Sequence, residues 1–396
     1  MKRKILLATT VDWPSAARLA GAFATLGATV EAVFPRGHVL AVSRYVNRAH
    51  RYRPLRPLAS FAEAIEAAAP DRIVPCDDRA LAFLLRLEPQ FGALLARSLG
   101  RLESYPVMMA RSPSIVIARE QGIAAPLTLA VAHETLLPAA LERVGLPAVL
   151  KTDGSWGGGG IAVVRSLAEA AHAYRALCGP PSRLRSLARA VLRRNQHFLL
   201  EAWAPNRANV SVQAFVPGKP ATSVLACRDG RLLASLHMDV VEWEGIAGPA
   251  RLMRRTGCPR MEEAAQTIAR RFGLSGLIGL DFVRDKAGVP WLIEINPRAT
   301  QICHLVLGPD LPAALLGRPP RPPATGKSTV ALFPQLLTAP AHRRDVFQDV
   351  PRDDPAVLRA LSPKGLPGEA APDAVAELPT AGNGPAMRRS CGPTAR

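Results

Sequence analysis

The stretch LIGLDFVRDKAGVPWLIEINPR, at residues 277–298, constrains the fold of this chain more than any other. Two apolar runs flank a short polar segment that contains glycine, which is typical of an antiparallel β-hairpin. A turn centred between Ala287 and Gly288 places Asp281 opposite Glu294, with their Cβ atoms about 5 Å apart. Alternate residues share a face of a strand, so Asn296 joins the two carboxylates. The opposite face is expected to point into a core: Leu280, Phe282, Ile293 and Ile295.

The polar face of this hairpin predicts a metal site. Three side chains with oxygen donors, without His or Cys, suit Mg²⁺, which prefers one or two carboxylates together with substrate phosphates. Two directly opposed carboxylates repel each other, which favours a cation between them. Arg298, just after the second strand, offers a guanidinium fork to an anion. The alternative interpretation is a solvated polar face with a chance pair of carboxylates.

A glycine-rich loop within KTDGSWGGGGIAVV, at residues 151–164, is the second informative stretch. A dinucleotide-binding fingerprint would open a helix, whereas the residues after these glycines have the pattern of a strand. The sequence TGKST at 325–329 is not a P-loop, because the earlier glycine of that motif is absent. A glycine hairpin can instead fold its backbone N–H groups over phosphate oxygens, with Lys151 supplying a point charge. A flexible surface hairpin is the alternative.

Residues 1–105 alternate short apolar strands with helical patterns, which predicts a parallel α/β sheet. Ligands of such sheets bind beyond the carboxyl ends of the strands. Thr9, Thr10, Asp12 and Asp77 are therefore candidates for ligand contact. Helix capping and turn formation are the alternative roles for each of them.

Composition limits the partners of this chain. A net charge of +18 raises the question of nucleic acid. The charge is spread along the whole chain and is mostly arginine, so nucleic-acid binding is not expected. The densest basic segment, at 182–197, has the pattern of a solvated amphipathic helix. No apolar stretch is long enough to span a membrane and the cysteines are scattered singly, which predicts a cytoplasmic protein.

Residues from about 106 to 310 resemble the ATP-grasp superfamily, most specifically in GLDFVRDKAGVPWLIEINPRAT and supported by the glycine loop. The resemblance implies an α/β (α+β) chain in which a Rossmann-like pre-ATP-grasp α/β domain at 1–105 precedes an ATP-grasp domain at 106–310. A proline-rich connector and C-terminal segment at 311–361 are expected to follow. The tail at 362–396 is expected to be disordered.

The resemblance also implies roles for individual residues. Two cations are expected at the phosphates of ATP: Lys151, and Arg111 in a position where the family usually has lysine. The flap over the triphosphate is expected to be formed by Gly157, Gly158, Gly159 and Gly160. The ligands of Mg²⁺, or of Mn²⁺ in its place, are expected to be Asp281, Glu294 and Asn296. Arg298 resembles the residue that meets the transferred phosphoryl group or the substrate carboxylate.

The adenine hinge of the family pairs an acidic or amide residue with a nearby apolar one on a short linking strand. Two segments fit this description, QAFV at 213–216 and EAWA at 201–204. The first is preferred because a strand, a turn and another strand follow it directly. The expected hinge residues are therefore Gln213, Phe215 and Val216, and a structural strand edge is the alternative.

By resemblance, the chain is an ADP-forming ligase: ATP converts a carboxylate into an acyl phosphate, which an amine or, less often, a thiol then attacks. The expected partners are small-molecule acids and amines, and a homodimer is left open. A nucleotide-binding regulatory subunit without turnover and a small-molecule kinase or carboxylase are the alternatives. His304 is expected to pack or cap in preference to touching the substrate.

Overall fold

The structure is a computed structural model that describes residues 2–153, 160–179, 209–243, 248–338 and 345–363. The chain up to Pro363 forms one compact unit. Most of the glycine loop, the basic segment at 182–197 and the tail from residue 364 lie outside the described residues. Within the described residues, no helix is long and apolar enough to cross a membrane.

The described residues contain the following strands and helices. The strands are β1 (Lys4–Ala8), β2 (Thr29–Phe34), β3 (Arg48–Arg51), β4 (Arg72–Pro75), β5 (Thr128–Val131), β6 (Ala148–Thr152), β7 (Ile161–Val164), β8 (Val210–Ala214), β9 (Lys219–Arg228), β10 (Arg231–Trp243), β11 (Ala250–Arg255), β12 (Gly276–Arg284), β13 (Pro290–Asn296), β14 (Thr329–Leu332) and β15 (Phe347–Asp349). The helices are α1 (Ser15–Ala24), α2 (Pro57–Ala68), α3 (Asp78–Arg86), α4 (Glu88–Leu99), α5 (Tyr105–Met109), α6 (Arg111–Glu120), α7 (Leu137–Val144), α8 (Leu167–Cys178), α9 (Pro259–Phe272), α10 (Leu311–Leu316) and α11 (Pro355–Leu361). Short 3-10 helices lie at Val39–Val42, Leu102–Ser104, Glu134–Leu136 and Gln335–Thr338.

The N-terminal sheet is parallel, with strand order β3-β2-β1-β4. The predicted parallel α/β arrangement is therefore confirmed. Strand β3 was not predicted, because its sequence RAHR lacks the apolar alternation of a strand. Its position at the edge of the sheet explains this composition, since charged side chains protect an edge from pairing with other chains.

Two antiparallel sheets form the rest of the unit. The large sheet has the order β13-β12-β9-β10-β11-β14-β15, in which only the last pair is parallel. The small sheet has the order β5-β8-β6-β7. The proline-rich stretch at 317–328 contains no helix or strand, but the segment after it adds β14 and β15 to the large sheet. The domain boundaries at 105 and 310 stay predictions.

Three apolar clusters hold these layers together. One face of the large sheet packs with α9 and with the helices α2 to α6. The other face packs with the N-terminal sheet, α1 and α10. The small sheet has a cluster of its own, formed with α7 and α8. Because the small sheet buries only one face in this cluster, its other face is free to carry polar residues.

Candidate functional site

The β12–β13 hairpin has the predicted register at its polar residues: Asp281 pairs with Glu294, and Gly279 pairs with Asn296. Beyond Asp281 the register shifts, so that Phe282 pairs with Leu292. This shift is a β-bulge that leaves Ile293 without a partner in the β12–β13 ladder. The predicted core position of Ile293 is therefore wrong. Its neighbour Leu292 is fully buried in the core instead.

The polar face of the hairpin brings the predicted metal ligands together. Asn296 Nδ2 donates a hydrogen bond to Asp281 Oδ2 over 2.9 Å. Thr222 Oγ1, on β9, donates to Asp281 Oδ1 over 2.9 Å. Burial and repulsion from Glu294 raise the pKa of Asp281 to about 6. Glu294 is thus close enough to disfavour the charge of Asp281, as expected of a pair that binds a cation.

Lys151, near the end of β6, reaches the hairpin from the small sheet. Its side chain is buried, with 3% of its surface exposed. The ammonium donates to the backbone oxygen of Ile293 over 3.1 Å. The bulge frees this carbonyl from ladder pairing, which explains why it is available to the lysine. Burial lowers the pKa of Lys151 to about 8, although the charge of Glu294 opposes this shift.

Arg111, the first residue of α6, joins the same cluster. Its Nη2 donates to Glu294 Oε1 over 2.9 Å, and its Nη1 donates to the backbone oxygen of Thr152 over 2.6 Å. The Arg111 backbone N–H is held by Asp153 Oδ1 at 3.0 Å. The arginine therefore bridges the end of β6 and a predicted metal ligand. The structure brings both predicted phosphate-binding cations to the junction of the small and large sheets, which is called the cleft below.

Arg298 lies at the edge of this cleft, against the N-terminal sheet. Its Nε and Nη2 donate to the two carboxylate oxygens of Asp78 over 2.8 and 3.1 Å. Nη2 also donates to Asn296 Oδ1 over 3.3 Å, and Nη1 donates to the Ala299 backbone oxygen over 3.2 Å. The predicted anion fork is therefore engaged by Asp78, the first residue of α3.

The segment predicted as the adenine hinge links the two antiparallel sheets. Strand β8 ends at Ala214 in the small sheet, and β9 begins at Lys219 in the large sheet. Gln213 is buried and its Nε2 donates to Thr128 Oγ1 over 3.0 Å. Phe215 is 41% exposed, so its ring is available for stacking on a base. The alternative hinge at 201–204 lies outside the described residues.

The glycine loop is described only at its ends. The Thr152 N–H donates to the Gly160 backbone oxygen over 3.0 Å, where β6 turns towards β7. The two strands pair antiparallel, as predicted for a hairpin. Gly157, Gly158 and Gly159 lie outside the described residues, so their role stays a prediction.

The predicted ligand-contact residues of the N-terminal sheet surround the start of α3. Asp77 caps this helix by accepting from the Ala80 N–H, and it also accepts from the Thr10 N–H. The hydroxyls of Thr9 and Thr10 donate to the same carboxylate. The capping interpretation therefore holds for Asp77, and Asp12 is exposed. Sequence reasoning considered Asp77 and missed Asp78, although the pair of acidic residues after β4 was the available signal.

His304 has a packing role, as expected. Its side chain is buried, and its Nε2 lies 2.8 Å from Asp349 Oδ2. Asp349 also accepts from Arg18 Nη2 over 2.8 Å. This network attaches the last strand of the large sheet to α1. Residue patterns could not predict it, because its members are far apart in the sequence.

The residues of the hairpin fit a magnesium ion. Among the described residues there is no group of three or more His, Cys, Asp and Glu side chains that would form a complete protein site. Two carboxylates and an amide oxygen form an incomplete, oxygen-only set. Mg²⁺ commonly takes such a set and completes it with water and substrate phosphates.

Comparison with known proteins finds one matching domain family and several similar folds. A family model for the ATP-grasp domain matches residues 190–301. No curated protein matches the chain. Among solved structures, the biotin carboxylase domain of 2-oxoglutarate carboxylase from Hydrogenobacter thermophilus superposes with a TM-score of 0.58, at 15% identity over 80% of this chain and 69% of that chain.

Two further solved structures are similar in the same way. The N5-carboxyaminoimidazole ribonucleotide synthetase of Thermus thermophilus has a TM-score of 0.57, at 20% identity over 80% of this chain and 79% of that chain. The N5-carboxyaminoimidazole synthase of Aspergillus clavatus has a TM-score of 0.59, at 12% identity over 80% of this chain and 78% of that chain. Residues 190–301 thus match the ATP-grasp domain family, and the chain shares the fold of these solved structures, with a parallel Rossmann-like α/β sheet before the matched region.

Proposed function

We propose that this protein is an ADP-forming ATP-grasp ligase, which uses Mg-ATP to activate a carboxylate and joins it to an amine or, less often, a thiol. One observation supports this function most strongly. Arg111 pairs with Glu294, and the Lys151 ammonium donates to the adjacent Ile293 carbonyl, in the cleft between the two antiparallel sheets. Opposite charges gathered in one cleft suit a metal-bound polyphosphate.

In this proposal the nucleotide lies along the cleft. The triphosphate meets Lys151 and Arg111 under the glycine loop, and the adenine lies against Phe215 and the backbone near Val216. Asp281, Glu294 and Asn296 hold Mg²⁺, or Mn²⁺ in its place. When bound, the metal neutralises phosphate charge that would otherwise repel the incoming carboxylate. Two of the solved relatives are complexes with MgADP and with ADP, which supports a nucleotide in the shared fold.

The positions of Lys151 and Arg111 indicate which phosphate bond breaks. A carboxylate oxygen of the acid attacks the γ-phosphorus, the bond from that phosphorus to the β–γ bridging oxygen breaks, and ADP leaves. The nitrogen of the amine then attacks the carbonyl carbon of the acyl phosphate. The amine loses a proton to solvent, and inorganic phosphate leaves with the electrons of the carbon–oxygen bond. Lys151 and Arg111 stabilise the charge that builds on ADP, and Arg298 orients the acid or the phosphoryl group.

A carboxylase is the alternative that a specific observation favours. Two of the solved relatives have names that denote carboxylation of an amine, and the third is a complex that includes bicarbonate. With bicarbonate as the acid, the same steps give a carbamate. The mass of the product separates this outcome, and simple phosphorylation, from an amide. A regulatory subunit without turnover would bind ATP but release no ADP with any acid and amine.

The proposed reaction also indicates the partners of this protein. Small-molecule acids and amines are the expected substrates, and one solved relative is a dimer, which keeps a homodimer as an expectation for this chain. ATP-dependent chemistry on small metabolites agrees with the expected cytoplasmic location.

Calorimetric titration with Mg²⁺ and a non-hydrolysable ATP analogue tests the site. Asp281→Ala, Glu294→Ala and Asn296→Ala should each weaken binding about tenfold or more, because each removes an oxygen ligand of the metal. The melting temperatures of the Asp281 and Glu294 variants should stay near that of the wild type, since these two side chains are only partly buried. Wild-type affinity in all three variants would contradict the metal assignment.

A further inference from the structure

The face of the small sheet that carries Lys151 also carries a group of buried polar residues. In the antiparallel ladder, Ser211 on β8 lies directly opposite Lys151 on β6. Directly opposed residues project from the same face, with Cβ atoms roughly 5 Å apart. Gln213, two residues further along β8, shares that face, and so does Thr128, which pairs with it on β5. The other face packs Leu150 and its apolar neighbours against α7 and α8.

One side chain of this polar group has no hydrogen bond within the described part of the chain. Ser211 is 3% exposed, and its Oγ finds no partner among those residues. Its neighbours on the same face are satisfied. Lys151 donates to the Ile293 carbonyl, Gln213 donates to Thr128, and Thr128 donates to the backbone oxygen of Pro126. Buried hydroxyls nearly always have a hydrogen-bond partner. A buried hydroxyl without such a partner, beside a binding cleft, indicates that the ligand supplies it.

We propose that the Ser211 hydroxyl is a further nucleotide-binding group, which donates a hydrogen bond to the phosphate chain beside Lys151. The position of Ser211 in the ladder indicates which part of the nucleotide it contacts. The hinge lies at the far end of β8, so the base lies beyond Gln213, whereas Ser211 lies level with the phosphate-binding lysine. When a phosphate draws the Lys151 ammonium away from the Ile293 carbonyl, its oxygens come within reach of the hydroxyl. A neutral donor at this place adds affinity without adding charge to a site that already has two cations.

The inference rests on the proposed nucleotide site, and the test separates the two. Calorimetry with Mg-ADP and with adenosine is carried out on the wild-type chain and on Ser211→Ala. The variant should bind Mg-ADP about tenfold more weakly and adenosine with unchanged affinity, because only the phosphate contact is lost. Its melting temperature without nucleotide should be equal to that of the wild type or higher, since the substitution removes an unsatisfied buried hydroxyl.

Ser223→Ala is the matched control. Ser223 is also a fully buried serine on a strand of the unit, but its Oγ lies 2.7 Å from His237 Nδ1, on the face of the large sheet that packs with α9. This variant should melt lower and bind Mg-ADP as the wild type does. Wild-type Mg-ADP affinity in Ser211→Ala would overturn the inference, as would an equal loss for adenosine. If the wild-type chain itself does not bind Mg-ADP, the proposed function fails and the inference with it.

Discussion

At the scale of single residues, the most informative group is the Lys151 ammonium. Burial lowers its pKa to about 8 from an ordinary value of 10.5, which corresponds to a cost of about 3 kcal/mol for the charged form without nucleotide. A phosphate bound beside Lys151 stabilises the charged ammonium and raises its pKa again. The lysine must therefore take up a proton when nucleotide binds above pH 8.

This linkage predicts the pH dependence of binding. Between pH 7 and pH 9.5 the wild-type affinity for a Mg-ATP analogue should fall roughly thirtyfold, because the free protein loses the proton over that range while the complex keeps it. Calorimetry in buffers of different ionisation enthalpy should record proton uptake at pH 9. Lys151→Met is the control and should bind weakly at every pH. A flat affinity profile in the wild type would contradict a buried phosphate-binding lysine.

At the scale of secondary-structure elements, one ion pair connects α6 to the β12–β13 hairpin. Arg111, at the start of α6, forms an ion pair with Glu294. A guanidinium within hydrogen-bonding distance competes with a divalent cation for the same carboxylate. Free metal should therefore bind poorly until a nucleotide draws Arg111 away.

Arg111→Met tests this competition. The variant should bind Mn²⁺ without nucleotide roughly tenfold more tightly than the wild type, measured by electron paramagnetic resonance of free Mn²⁺. It should bind a Mg-ATP analogue more weakly, because a phosphate contact is lost. Arg119→Met, an exposed arginine at the other end of α6, should match the wild type in both measurements. Equal Mn²⁺ affinity for wild type and Arg111→Met would show that Arg111 does not compete with the metal for Glu294.

The elements also show what the sequence could predict. The pairing of Asp281 with Glu294 followed from alternation and turn symmetry, because both act within one hairpin. The bulge at Ile293 could not be predicted, since alternation and turn symmetry both assume an unbroken ladder. The partner of Arg298 was missed because Asp78 lies 220 positions away in the sequence. Strand β3 has no apolar pattern, and only its neighbours in the sheet make it a strand.

At the scale of the whole molecule, residues up to Pro363 form one compact unit. The tail beyond it is rich in Pro, Gly and Ala, a composition that buries too little apolar surface to offset the entropy of ordering. A chain that ends at Pro363 should therefore melt within a few degrees of the full chain and bind Mg-ADP equally well.

A shorter chain, ending at Asp353, is the contrasting variant. It removes α11, which packs Val357 into the core, and also Asp354, whose carboxylate accepts from Ser43 Oγ over 2.6 Å. This chain should melt well below the other two in a thermal scan. If the chain ending at Pro363 melts as low as the one ending at Asp353, the tail contributes to stability and its predicted dispensability is wrong.

The central claim is that the molecule cleaves ATP between the β- and γ-phosphates to activate a carboxylate. The most direct measurement is the nucleotide product formed from Mg-ATP with a panel of small carboxylic acids, bicarbonate included, in the presence of hydroxylamine. The account predicts ADP and phosphate, with a hydroxamate formed in step when a carboxylic acid is accepted, and loss of all products in Glu294→Ala. AMP and pyrophosphate as the products would contradict it, even if every residue named above proved to bind nucleotide.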